Sequence, residues 1–323
     1  MSKKKDMKLR SHINLLILGI LMISSGIFLS CDAFNEDLPE CRLFVKFKYD
    51  YNMQSVCSFH VQVDKVELYV FDKDGKFLFQ QAEEGEPLTT GSYLMNLELP
   101  VGEYKLMAWA GAHDSYDIPV LTPGDPISAL ELKLKREISL VVDKELEPLW
   151  YGEILDVNFT GTTNQVETIN LIKDTNKVTF IFQFLADDEP LNLEDYKYEI
   201  IESNGYMNHQ NQLKDDDVLS YYPYYKEQMS TSAVRLGLNT MRLMNDRQNR
   251  FVVTEKSTGK KVFNVSLSDY FAKTQDPGST WGTQEYFDRQ DAWHVVFYLN
   301  ASWIAVRIDI NDWTWRSQEE GDV

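Results

Sequence analysis

Cys31 is the residue whose type and position most directly imply chemistry. It follows Ile27-Phe28-Leu29-Ser30, at the end of an apolar run from Ile13 to Leu29, and Lys3, Lys4, Lys5, Lys8 and Arg10 precede that run. A basic start, a short apolar stretch broken by Ser24, Ser25 and Gly26, and a small residue before Cys form the pattern of a lipoprotein signal, not of a membrane span. In that chemistry the Cys31 thiol is lipidated and the cysteine becomes the new N-terminus. The competing reading is an ordinary signal peptide cut near Ser30, with Cys31 incidental.

Cys41 and Cys57 are the other two cysteines. In an oxidising envelope they can form a disulfide closing a short loop or stay as two thiols, and spacing leaves both open. His60, His113, His209 and His294 fall outside HExxH or CxxC spacing, and His12 lies in the signal. No GxSxG elbow and no phosphate loop occurs. Asp72 and Asp74 begin like a calcium loop, but Lys76 and Phe77 stand where a ligand and a glycine are required. The acidic runs Asp187-Asp188-Glu189 and Asp215-Asp216-Asp217 have the composition of solvated loops. A glycosidase pair hidden among the acids is the catalytic reading left open. The expectation is a non-catalytic protein without metal or cofactor.

Net charge points the same way. The 323-residue chain carries −18, and its first 30 residues hold five basic groups against Asp6, so the remainder carries −22. Nucleic acid and an anionic bilayer both repel such a surface, which leaves a lipid as the means of attachment. A hydrophobic share of 43% with 13% aromatics marks a folded chain rich in residues that suit strands.

The elements that must hold these residues read as strands. After an acidic tether from Asp32 to Glu40, Leu43, Val45, Phe47 and Tyr49 alternate with Phe44, Lys46 and Lys48, the period of a half-buried strand. A run from Val61 to Phe71 follows, with Val66, Leu68 and Val70 on one face and Tyr69 on the other. It turns at Asp72-Lys73-Asp74-Gly75 into Lys76 to Phe79, a hairpin. Further strands are predicted at Tyr93–Leu99, Tyr104–Ala110, Ala129–Leu134, Ile138–Val142 and Ile154–Phe159. A second set comprises Lys177–Leu185, Tyr196–Ile201, Ala233–Leu238, Phe251–Thr254, Lys261–Val265, Trp293–Leu299 and Ile304–Ile310. No long stretch has helical spacing. Short strands separated by turns predict antiparallel sandwiches. The organisation expected is a signal peptide over 1–30, a lipidated tether over 31–41 and sandwiches over 42–173 and 174–323, divided at Asp174-Thr175-Asn176. Tyr221-Tyr222-Pro223-Tyr224-Tyr225 reads either as a contact surface or as a loop packing its own rings.

An ordered set of segments resembles the FimB-like fimbrial anchor lipoproteins of the Bacteroidales. It runs from Cys31 through Asp37-Leu38-Pro39-Glu40-Cys41 and Phe47-Lys48-Tyr49-Asp50-Tyr51-Asn52-Met53 to Val66–Asp72 with Gly75. Leu99–Tyr104, Ala108-Trp109-Ala110-Gly111, Leu171 with Asp174–Val178, and Ile308–Trp313 complete it. The resemblance implies an all-β protein of two transthyretin-like sandwiches, lipid-anchored in the outer membrane at the cell surface. It also implies partners among fimbrial shaft subunits, engaged by strand exchange, and a limit on fibre length. Retention of the first strand, Leu43 to Tyr49, would close the groove and stop polymerisation.

Two other readings compete. One is a surface glycan- or host-binding lipoprotein using Trp281, Trp293, Trp303 or Trp315. The other is a fimbrial tip or stalk subunit, with Arg42 as the cleavage point ahead of the first strand.

Overall fold

Alternating burial at the first strand sets the architecture. Leu43, Val45 and Phe47 of β1 (Leu43–Lys48) are 0–2% exposed while Lys46 faces solvent. The computed structural model describes residues 41–185 and 190–317. The signal, Cys31, the tether to Glu40 and the acidic run at Asp187-Asp188-Glu189 lie outside the described residues.

In the first half, β2 (Lys65–Asp72) and β3 (Phe77–Glu84) form the expected hairpin, with Gly75 supplying a φ of 75°. β4 (Met95–Leu97), β5 (Gly102–Ala110), β6 (Tyr116–Asp117), β7 (Leu132–Leu134) and β8 (Val141–Val142) follow. Two long strands, β9 (Trp150–Phe159) and β10 (Gln165–Lys173), end this half. The second half opens with β11 (Thr175–Phe184), β12 (Tyr196–Glu202), β13 (Tyr206–Met207), β14 (Leu219–Tyr221) and β15 (Tyr225–Ser230). It continues with β16 (Ala233–Met241), β17 (Arg250–Glu255), β18 (Lys261–Ser266), β19 (Ala292–Leu299), β20 (Ala305–Ile310) and β21 (Trp313–Arg316). Among the described residues three short α-helices interrupt the strands: α1 (Phe59–Gln62), α2 (Leu267–Ala272) and α3 (Thr283–Arg289).

The all-β expectation holds, and the sheets add detail that it lacked. Seven strands run in the order β3-β2-β5-β9-β10-β1-β4, six as β15-β16-β11-β19-β20-β21, and five as β18-β17-β12-β14-β8. Pairing is mostly antiparallel, but β1 with β10, β11 with β19 and β8 with β14 are parallel. The run predicted from Val61 divides. Val61 sits in α1 and is 74% exposed, because Phe59 turns inward to stack on Phe47 at 5.7 Å. Ile138 is fully exposed, and only Val141–Val142 of its predicted strand is extended.

Tyr69 is the most informative departure. Alternation puts it on a solvent face, yet it is 2% exposed. Tyr69, Phe71, Met107 and Trp109 belong to one apolar core with Phe180, Phe182, Phe251 and Phe297 of the second half. The middle of β2 and the C-terminal part of β5 are therefore buried on both faces. Strands also cross the expected division at Asp174: β7 pairs with β13, and β8 with β14. Residues from Arg42 onward accordingly form one compact unit.

Candidate assembly site

Strand β1 is held on both sides. Six of its residues register in parallel with β10, from Leu43 opposite Gln165 to Lys48 opposite Asn170, and Leu43 to Val45 pair antiparallel with β4. Ahead of it, the Arg42 N–H donates to Asn164 Oδ1 at 2.9 Å, and its carbonyl accepts from Gln165 N–H at 2.9 Å. Beyond it, Tyr49 packs edge-on against Trp150. The two outer strands of this sheet are also linked, since Gln81 Nε2 of β3 donates to the Asn96 carbonyl of β4 at 3.2 Å. One side chain therefore links the two edges of the sheet, while β1 itself lies inside it with a strand on either side.

Asp174, Thr175 and Asn176, expected as a polar boundary, are all buried and all engaged. Asp174 N–H donates to the Leu149 carbonyl, Thr175 Oγ1 accepts from Leu149 N–H, and Asn176 Oδ1 accepts from Trp293 Nε1 at 3.2 Å. Asp174 Oδ1 takes a hydrogen bond from Asn211 Nδ2 at 2.9 Å and lies 3.9 Å from Arg242 Nε. Arg242 itself makes a two-point pair with Asp288, both contacts at 2.7 Å. Burial pushes the Asp174 carboxyl up to about 7, against the smaller pull of Arg242 and Asn211. From the same helix as Asp288, Arg289 stacks over Tyr51 at 4.1 Å and over Trp281 at 4.6 Å, and it pairs with Glu285. This arginine ties the loop after β1 to α3.

The remaining predicted residues are scattered. Cys41 and Cys57 are free thiols in the structure. His60 and His294 are exposed, His113 contacts Asp64 at 2.9 Å, and burial lowers the pKa of His209. Asp72 Oδ1 accepts from the Asp74 and Lys76 N–H groups, so the aspartate closes a turn. Among the described residues no group of three or more His, Cys, Asp or Glu could hold a metal ion. Asp216 is buried against Arg136 at 2.7 Å, contrary to a solvated loop. The tyrosine run is divided between core and surface. Tyr221 is buried and donates to Asn204 Oδ1, whereas Tyr225 is 46% exposed. Of the four tryptophans offered for glycans, Trp293 and Trp303 are core residues, Trp281 is half-buried and Trp315 is exposed. Arg242, Asp288 and Arg289 carry no sequence signal; they are isolated charges in unremarkable surroundings, brought together by the fold alone.

Comparison with known proteins gives this body its relatives. A Minor fimbrium anchoring subunit Mfa2 of Porphyromonas gingivalis is 26% identical over 99% of both chains. A Bacteroides thetaiotaomicron protein of the DUF1812 group, described as a candidate polysaccharide-binding protein, has a solved structure 58% identical to this chain. It covers 88% of this chain and all of its own, with a TM-score of 0.83. A candidate adhesin from Bacteroides ovatus is 28% identical over 89% of this chain and 98% of its own, with a TM-score of 0.77. The profile of the fimbrillin-A associated anchor proteins Mfa1 and Mfa2 matches residues 38–319, and the chain belongs to that family.

Proposed function

We propose that this chain anchors a surface fimbrium, held in the outer membrane by lipid at Cys31 and presenting its folded body to a shaft subunit. The seating of β1 carries the reading. A subunit that accepts a neighbour's strand needs an open groove for the donor's backbone and side chains. In this chain Leu43, Val45 and Phe47 occupy the position themselves, with hydrogen-bonded neighbours on both sides. Growth by strand entry therefore stops at this subunit, and fibre length is limited. The test removes Arg42 to Asp50 while keeping Cys31. Longer or shed fibres, counted by electron microscopy and in culture supernatant, support the reading; unchanged fibres overturn it. Sequencing the mature N-terminus separates the rival role: a start at acylated Cys31 fits an anchor, and a start at Leu43 a polymerising subunit. The description of the 58% identical relative favours a second reading, in which the body also engages polysaccharide.

A further inference from the structure

A cleft of about 540 Å³ opens between the segment after α2, helix α3 and the turn joining β20 to β21. We propose that it is the site at which this chain binds a neutral oligosaccharide, an inference that rests on the polysaccharide reading and not on the anchoring one. Its size falls in the range of small-ligand sites. Three aromatic rings line it, and each is fixed. Trp281 is backed by the Arg289 guanidinium at 4.6 Å, and Gln275 Nε2 donates to its carbonyl. Tyr286 is 5% exposed, with its hydroxyl 2.7 Å from Thr274 Oγ1 and its ring edge-on to Trp293. Trp313 packs on the apolar core from one side and remains half-exposed. The Trp281 and Trp313 rings are held in place and partly wet, which suits the C–H face of a pyranose, apolar on its face and polar at its rim.

The charges narrow the ligand. Asp276 and Asp312 stand at the cleft as exposed carboxylates, able to accept from sugar hydroxyls. Among the described residues the cation lining it is Lys273, 5.0 Å over the Tyr270 ring. Two carboxylates against one lysine, on a protein already strongly acidic, disfavour phosphate, sulfate or uronate groups. A second hollow of about 600 Å³ on the outer face of the six-stranded sheet serves as the internal comparison. There Arg235 is paired with Glu227, and Tyr225 also bonds Glu227.

The test is affinity electrophoresis of the detergent-solubilised full-length protein in gels containing dextran, yeast α-mannan or starch, with polygalacturonate as the anionic comparator. We expect retardation in at least one neutral gel and none in polygalacturonate. Trp313→Ala and Asp312→Ala should each weaken that retardation at least tenfold, and Tyr225→Ala should leave it unchanged. Asp312 is exposed, so its variant reports on binding even where the tryptophan variant folds poorly. Retardation that survives Asp312→Ala and Trp313→Ala, or that is lost with Tyr225→Ala, overturns the site but keeps the polysaccharide reading. Preference for polygalacturonate overturns the ligand class. An absence of retardation in all three neutral gels overturns both.

Discussion

Replacing Asp174 with Asn should make the protein less sensitive to alkali. The buried cluster around Asp174 holds two carboxylates, Asp174 and Asp288, and one guanidinium, Arg242, whose Nε and Nη2 are already engaged with Asp288 and whose Nη1 donates to the Asn211 carbonyl. Ionising Asp174 therefore leaves a negative charge without a full partner, and its second oxygen has no hydrogen bond at all. Its carboxyl sits at about 7 in the folded state, against an ordinary 3.8. A raised acid binds its proton more tightly when folded. The stabilisation is thus present in full below the ordinary value and is lost as pH rises through 7. Each pH unit in that window removes at most about 1.4 kcal/mol, so the whole gap is worth about 4 kcal/mol and the step from pH 5 to pH 8 about 3 kcal/mol. Asn keeps an oxygen for Asn211 and cannot titrate. Urea unfolding followed by tryptophan fluorescence at pH 5, 6, 7 and 8 reads the difference between the two proteins. The wild type should lose about 3 kcal/mol relative to Asp174→Asn across that range. Parallel curves would refute the account.

Two further outcomes test the rest of the frame. Arg289→Ala removes the stacking on Tyr51 and Trp281 and the pair with Glu285; it should cost about 2 kcal/mol and speed hydrogen exchange in residues 52–58. Unchanged exchange there would show that the loop after β1 is held by something else. Alkylation of envelope-extracted protein, denatured without reductant, should add two labels, one each at Cys41 and Cys57. No label would instead establish the disulfide between them, since a lipidated Cys31 offers no thiol.

The strands with clean alternation were legible because one periodicity served one buried face, as at β1 and at β11, where Val178, Phe180 and Phe182 are all buried. β10 was missed, since Gln165-Val166-Glu167-Thr168 reads as polar and only its partners make it a strand. The helices α2 and α3 are a turn or two long, too short for a periodic signal, and the core contact of Phe271 stacked on Trp293 at 3.9 Å holds α2 in place. Asp174-Thr175-Asn176 is legible as a polar segment, and its polarity alone suggests a domain boundary. Its polarity serves instead to satisfy backbone and side-chain groups inside a seam between strands that cross it. The apolar second face of β2 was invisible for the same reason: Tyr69 suits a wet surface as well as a dry one.

The two-sided pairing of β1 also has a mechanical side. Tension entering through the chain at Arg42 and drawn along the strand would act on the parallel ladder to β10 and the antiparallel ladder to β4 together, in shear. Rungs stretched in concert must fail as a group, whereas rungs peeled from an end fail in turn. Gln165 and Asn164 clamp Arg42 at the point where such a pull arrives. Under the proposed anchoring role β1 would then also act as a cleat, with the strength of the hold set by the alignment of the pull with six residues of backbone.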